Sequence, residues 1–299
     1  MHTGELMNAD LEKSKTEAAS NTTAFSKTIA FQGELGAFSH AAALATFPDG
    51  KLLPCVTFEQ TIAAVQEGKA DFAVVPVENS LYGRITDIHH ILPQSSLFIV
   101  GEYFLPIRMN LLGLAGAKLA DIKSVQSLSV ALGQCRRFIS KHGLTAINAV
   151  DTAGSAREVS ELGDKSRSAI ASTIAAQIYG LEIIEKNIED ASHNTTRFLI
   201  MSRDKSQPAP DGNNIKTTFI FRVRNVPAAL YKAMGGFATN SVNMLKLESY
   251  MVEGSFTATQ FYADIEGHPD DKNVQLAFEE LGFFTDHFSI LGVYPGAKN

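Results

Sequence analysis

The chain has 299 residues, 45% hydrophobic and 19% charged, the balance of a globular protein with room for two or three domains. Its net charge of −6, from 26 basic and 32 acidic side chains, argues against a nucleic-acid binder, which needs a basic face to neutralise phosphates. No apolar run reaches the ~18 residues of a membrane span. The two cysteines, Cys55 and Cys135, form no close pair, so neither a disulfide framework nor a metal site is expected.

Residues 1–27 are polar, rich in Ala, Ser, Thr, Glu and Lys, and lack the apolar core of a secretory signal. They are expected to be a flexible tail on a cytoplasmic protein. Thr28–Phe31 then reads as a strand, Gly33 and Gly36 mark a tight loop, and Ser39 is placed to cap a helix His40–Phe47. A strand near Leu52–Val56 and a helix Phe58–Glu67 follow. Phe72–Val77 is nearly all apolar, as a buried parallel strand should be. The alternation continues with helix Ile85–Leu92, strands Leu97–Leu105 and Ile107–Leu114, and helix Val130–His142. Strand Thr145–Val150, helix Gly154–Leu162, strand Ser168–Ala171, helix Thr173–Tyr179 and strand Thr195–Ser202 complete the series. Such alternation implies an α/β fold with parallel sheets, whose ligands bind where strand ends meet helix N-termini. Adjacent His89 and His90 point in different directions on a helix and are expected to be surface or turn residues.

Residues 205–214, with Pro208, Pro210 and Gly212, read as a linker. Residues 215–299 change rhythm: strand Lys216–Val223, a helix opened by Pro227 and carrying Val226, Leu230, Met234 and Phe237, then strand Asn243–Met251. A turn at Glu253–Ser255, strand Phe256–Ile265, helix Lys272–Leu281 and strand Phe284–Val293 follow. This β-α-β-β-α-β order is the ferredoxin-like split unit, here in about 80 residues.

Several loops of the first unit resemble prephenate dehydratase. Gly33-Glu34-Leu35-Gly36-Ala37-Phe38-Ser39 resembles that family's glycine loop, and Val75-Pro76-Val77-Glu78-Asn79-Ser80, followed by Gly83, its Glu-Asn-Ser segment. Ala175-Ala176-Gln177-Ile178-Tyr179-Gly180-Leu181 and, above all, Asn194-Thr195-Thr196-Arg197-Phe198 are similar to further family motifs. Ser127 and Gln134-Cys135 fall where the family has a Ser-His-Pro-Gln segment and a later Gln-Cys, but Leu128-Ser129-Val130 stands where the family has His-Pro-Gln. The last unit resembles an ACT domain. Asn225-Val226-Pro227-Ala228-Ala229-Leu230 and Leu247-Glu248-Ser249 match its motifs, with Tyr250-Met251 in place of Arg-Pro.

The resemblance implies a two-lobed catalytic domain like type 2 periplasmic binding proteins over residues 28–204, its second lobe at about 106–188, and then the ACT domain. It implies a carbon–oxygen lyase that removes water and carbon dioxide from prephenate, giving phenylpyruvate for phenylalanine synthesis. Phenylalanine is the implied feedback effector, held by Ala228, Ala229, Leu230, Asn243, Leu247, Glu248 and Ser249 in a homodimer or homotetramer. Aromatisation drives the reaction, so neither metal nor cofactor is expected. The protein has to position two carboxylates and help a hydroxyl leave. Thr196 suits hydrogen bonding to the departing hydroxyl. Arg197 suits a bidentate carboxylate pair, or else bridges two subdomains. Glu78 is a base or a partner for Arg84; Asn79 and Ser80 are site residues or turn formers. Ser39, Ser127, Gln134, Thr152, Thr173 and Phe198 complete the substrate-contact set, with caps and strand ends as the plainer readings. Rival readings are arogenate dehydratase, a non-catalytic amino-acid sensor, and a secreted solute-binding protein.

Overall fold

The structure, a computed structural model, describes residues 26–210, 214–224, 226–251 and 258–297. Most of the expected tail, Asn225 and the expected turn Glu253–Ser255 lie outside the described residues. The apolar run read as a buried strand is β3 (Phe72–Asn79), which lies between β1 (Thr28–Gln32) and β11 (Thr195–Ser202) in a sheet. β1 pairs in parallel with β3 and with β2 (Lys51–Cys55), whereas β11 runs antiparallel to β3 and to β5 (Phe98–Pro106). Helices α1 (Phe38–Thr46), α2 (Phe58–Gln66) and α3 (Thr86–Ile91) belong to this lobe, and the two-residue strand β4 (Gly83–Arg84) folds back on β3.

β5 leads into a second lobe, whose five strands are β6 (Asn110–Gly113), β7 (Ser124–Leu128), β8 (Thr145–Ala149), β9 (Arg167–Ala171) and β10 (Glu182–Glu185). They stand in the order β10-β6-β9-β7-β8. The edge strand β10 has no counterpart in the sequence reading. Its charged ends, Glu182 and Glu185, mask the short apolar pair between them. The single helix expected at Val130–His142 is two, α4 (Ser129–Gln134) and α5 (Arg136–Lys141). Asp190 makes the break. Its N–H donates to the Gln134 carbonyl at 2.7 Å and its carboxylate accepts from the Arg137 N–H at 3.1 Å, removing both groups from the helical ladder. Helices α6 (Thr152–Leu162) and α7 (Thr173–Tyr179) complete the lobe, capped by Asp151 and Ser172.

The last unit is ferredoxin-like, as expected: β12 (Ile215–Val223), α8 (Ala229–Thr239), β13 (Met244–Met251), β14 (Ala258–Glu266), α9 (Lys272–Phe284) and β15 (Thr285–Pro295). Phe219, Phe221, Phe237, Phe261, Val274 and Leu281 form its core. Pro227 lies outside the helix, because Ala228 takes a left-handed φ of 59° and α8 starts after it. No helix among the described residues is long and apolar enough to cross a membrane.

The unit is not a separate appendage. β15 pairs in parallel with β5 through Gly292 and Ile99, so one ten-stranded sheet runs through both parts. A Cβ at position 292 would overlap the Ile99 carbonyl oxygen, so this approach requires glycine. The sheet face of the last unit that carries Ile220, Tyr250, Tyr262 and Tyr294 joins the core of the first lobe with Ile88, Leu92 and Ile99. His89, read as a surface or turn residue, lies inside this contact at 1% exposure. Its Nε2 is 3.0 Å from the Val77 carbonyl oxygen, which only accepts, so Nε2 carries the proton. Nδ1 therefore accepts from the Tyr250 hydroxyl at 2.7 Å.

Burial first, then the charge of Lys246, lowers the His89 pKa from 6.5 to about 4. Above pH 6.5 the imidazole is neutral in folded and unfolded chains alike. As the pH falls through 6.5 toward about 4 the unfolded chain takes up the proton first, so folding stability is lost over that window, by about 3 kcal/mol in full. Denaturant titrations across this range should show His89→Gln losing less stability than the wild type. Parallel losses would refute the assignment.

Candidate active site

A cavity of about 560 Å³ separates the two lobes. The first lobe supplies Phe38, Ser39, Asn79, Arg84, Thr196 and Phe198, and the second Met109, Leu128, Val130, Gln134 and Thr152. Side chains alternate across a strand. On β11, Thr196 and Phe198 line this cavity, whereas Thr195 and Arg197 line a second cavity of about 510 Å³ with Glu78, Ser80, Phe104 and Pro106. Asn79, at the end of β3, borders both.

Asn79 is oriented by its surroundings. Its side-chain oxygen accepts from the Leu81 and Tyr82 N–H groups at 3.0 and 3.2 Å. Its Nδ2 must then donate, to Asn194 Oδ1 at 2.7 Å and to Thr196 Oγ1 at 3.0 Å. Thr196 is 7% exposed. Since its oxygen already accepts from Asn79, its O–H remains free to donate into the cleft. Gln134, also buried, brings an Oε1 without a partner among the described residues. Thr152 opens α6, and Ser39 lies in the first turn of α1.

The glycine loop clamps the lobes together. Ser172 Oγ donates to the Gly36 carbonyl at 2.6 Å, Tyr179 OH to the Leu35 carbonyl at 2.7 Å, and Arg157 pairs with Glu34 at 3.0 Å. A Cβ at Gly36 would lie 2.9 Å from Ala175 Cα. The N–H groups of Gly33, Gly36 and Ala37 are spent on Cys55 O, His40 Nδ1 and Glu34 O, so they are not free to hold an anion. Ser39 is not the cap it was read as. α1 starts at Phe38 behind Ala37, whose position has no side-chain cap.

Four of the other expected site residues lie elsewhere. Ser127 is fully buried in the second sheet, where its Oγ donates to the Ile170 carbonyl at 2.7 Å. Thr173 accepts from Asn110 Nδ2 at 3.3 Å and does not line the cleft. Ser80 donates to the His193 carbonyl at 2.9 Å on the far side of the sheet. Glu78 pairs with Arg197 and Lys246, not with Arg84. Burial opposes its charge, but these two hydrogen bonds outweigh it and hold the carboxyl below its usual range.

The structure also corrects the expectation of Arg197 as a substrate anchor. Its guanidinium is 5% exposed and donates to Glu102 at 2.7 Å, Glu78 at 2.9 Å, Asp264 at 2.6 Å and the Tyr294 hydroxyl at 3.0 Å. Asp264 and Tyr294 belong to the last unit, so this is the bridging alternative. Burial works against the charge, yet Asp264 foremost among the attractive groups raises the pKa above its ordinary value.

The expected effector residues fall into two groups. Ala228, Ala229 and Leu230 open α8, with Ala229 and Leu230 packed into the core of the unit. Asn243, Leu247, Glu248 and Ser249 lie just before or on β13, at the sheet edge beyond β14. Asn243 donates to Glu266 at 2.9 Å, and Glu248 lies 3.5 Å from Lys246 and 3.7 Å from Arg84. Sequence reasoning missed the cleft residues Tyr82, Arg84, Asp87 and Met109. Gly83, which turns the chain at φ 76°, was the one signal that this loop folds back on the site.

The family model described as prephenate dehydratase matches residues 29–206. A protein of Komagataeibacter europaeus, described as a bifunctional N-acyl-homoserine lactone acylase/prephenate dehydratase, is 51% identical over 90% of this chain and 96% of its own length. Arogenate dehydratase/prephenate dehydratase 1 of Arabidopsis thaliana is 40% identical over 89% of this chain and 71% of its own. Among solved structures, the prephenate dehydratase of Arthrobacter aurescens in complex with L-Phe superposes with a TM-score of 0.82 at 29% identity, covering 90% of each chain. A structure described as a novel type of quorum quenching acylase gives 0.85 at 50% identity, covering 91% of this chain and 98% of its own. By the span of the family model and the near full-length relatives, this chain belongs to the prephenate dehydratase family.

Proposed function

We propose that the chain converts prephenate to phenylpyruvate, and that Thr196 is the residue that assists the leaving hydroxyl. The bond from the ring to its carboxylate breaks, its electron pair enters the ring, and the opposite carbon–hydroxyl bond breaks with its pair. One proton goes to the departing hydroxyl, so the products are phenylpyruvate, carbon dioxide and water. The observation that carries this reading is the chain Asn194–Asn79–Thr196, which leaves one oriented O–H facing the cleft. Threonine is a weak acid, so Thr196 works by hydrogen bonding as negative charge develops on the hydroxyl, or by relaying a proton. Phe38, Met109 and Phe198 keep the surroundings apolar, which strengthens that hydrogen bond. Aromatisation supplies the driving force, and the chemistry calls for no redox cofactor or metal.

Arogenate, with an amino group for the keto group, is the alternative substrate, as the names of several plant relatives suggest. Phenylalanine is the proposed effector, bound between the last units of two copies in a cytoplasmic dimer or tetramer. The exposed Leu245, Leu247 and Met251 on edge strand β13 support a second copy there. A second reading rests on the cleft wall. Leu128 and Val130 line it at 37% and 42% exposure, an apolar surface fit for an acyl chain. With the acylase/dehydratase relative, this supports amide hydrolysis of N-acyl-homoserine lactones as an additional activity.

Wild-type protein should release phenylpyruvate from prephenate, and Thr196→Ala should lower kcat by about 100-fold with KM little changed. Turnover of arogenate but not prephenate would shift the substrate, and an unaffected Thr196→Ala would sink the mechanism. Added phenylalanine should lower the wild-type rate, and Leu247→Asp should raise the concentration required. Equal sensitivity would move the effector away from β13. Incubation with an N-acyl-homoserine lactone should release the fatty acid. No acid above a protein-free control eliminates the second reading and leaves the first standing.

A further inference from the structure

A third cavity, of about 380 Å³, lies between the first lobe and the C-terminal sheet, away from the Thr196 cleft. One wall is a row of side chains across four strands. Tyr250 on β13 pairs with Gln260 on β14, Gln260 with Arg222 on β12, and Arg222 with His287 on β15. Directly opposite residues share a face of a sheet. Arg222 is two residues on from Ile220, which packs into the core of the first lobe, so the row faces that lobe. The other wall is α3 and the turn after it, which bring His90 and Gln94. The His90 ring stands 6.4 Å from the Tyr250 ring.

Arg222 is half-buried and permanently charged. Its Nη2 reaches only the neutral Gln260 Oε1, at 3.4 Å, and its Nε is buried with no partner among the described residues. Neither Asp nor Glu is among the residues that line the cavity. Glu248, two residues before Tyr250, is paired with Lys246 and Arg84. His89 adds no charge, because both ring nitrogens are committed and burial holds its pKa at about 4. A buried donor on an unpaired cation is costly, and an anion in the cavity would remove that cost. The other donors belong to both walls: His287 and Gln260 on the sheet, His90 and Gln94 on the lobe. Donors on opposing walls suit a phosphate group, with three acceptor oxygens, better than a planar carboxylate that one fork holds.

We propose that this cavity binds a phosphate group, as free phosphate or a small phosphate monoester, and that the bound group clamps the C-terminal unit to α3. The site stands apart from the Thr196 cleft and does not depend on the reaction carried out there.

The test uses the full chain in phosphate-free buffer at constant ionic strength. Calorimetric titration should show saturable binding of inorganic phosphate, and at ten times its Kd the Tm should rise by about 2 °C or more. Arg222→Gln should weaken binding at least about tenfold and remove the shift. His287→Ala, at an exposed position, should weaken it about threefold. That variant keeps the proposal open to refutation should Arg222→Gln fold poorly. Titration with glycerol 3-phosphate separates the two sources. Tighter binding than inorganic phosphate assigns the occupant to a monoester, and equal or weaker binding to free phosphate. Phosphate should also slow amide hydrogen exchange in α3 several-fold, since the clamp opposes undocking. No saturable phosphate binding, equal affinity in the wild type and both variants, acetate bound as tightly as phosphate, or unchanged exchange in α3 would each overturn the proposal.

Discussion

The guanidinium of Arg197 lies where the catalytic lobe meets the C-terminal sheet, and each of its contacts crosses from one strand to another. Glu78 on β3, Glu102 on β5 and Arg197 itself on β11 come from the lobe, two acids and one base. Lys216 on β12, Lys246 on β13 and Asp264 on β14 come from the C-terminal unit, two bases and one acid. Each side alone carries an unbalanced charge, and together they cancel. Tyr294 and Thr218 fill remaining donor and acceptor positions, with Thr218 Oγ1 2.7 Å from Asp264 and 2.8 Å from the Tyr294 oxygen. Burying such a cluster costs several kcal/mol per ion before the pairs form, so its net gain in stability is small. Its effect is on specificity. A displaced docking leaves a buried charge unpaired, at roughly 3–5 kcal/mol for each broken pair.

The period of two along a strand makes one short motif serve two purposes. Thr196 and Phe198 face the substrate cleft, and Arg197 between them faces the other way, into the docking surface. At the end of β3 the same division separates Asn79, which holds Thr196, from Glu78, which holds Arg197. The Arg197 cluster and the Thr196 hydroxyl are thus neighbours along the backbone without sharing a face. Strain on the C-terminal unit reaches the hydroxyl through the backbone of β3 and β11, whose ladder is irregular between Arg197 and Phe198. Arg84, paired opposite Glu78 on β3, reaches β13 with its side chain, where Nη1 donates to the Ser249 carbonyl.

The fold was legible where periodicity was strong. The α/β alternation, the buried run Phe72–Val77 and the βαββαβ order at the end all reflect local burial patterns that a sequence displays directly. Asn79, Gln134, Thr196 and Phe198 were identified from motif position and Thr152 from its place between a strand and a helix, and they do gather in the cleft. Ser80, Ser127 and Thr173 were not separable from them. A hydroxyl at a strand end looks the same in sequence whether it meets a ligand or a carbonyl such as that of Ile170. Arg197 was ambiguous for a related reason. Its deciding partner Asp264 is 67 residues away, and only the paired sheet brings them together. His89 was misread because nothing local to a histidine pair announces that Tyr250, 161 residues on, will cover it.

Tyr250 is the one buried side chain of β13. It stands where the family motif has arginine, and its ring and hydroxyl are committed to the first lobe through His89 and Arg84. An arginine there would bring a third cation beside Arg84 and Lys246. The tyrosine instead offers Arg84 an aromatic face and the buried His89 a donor, so this part of β13 acts as a docking strand. The neighbouring Leu247 and Met251 remain exposed on the same strand. β13 therefore alternates between residues that grip the lobe and residues left open at the sheet edge. Whatever occupies that edge acts on a strand already bonded to Arg84 of the lobe.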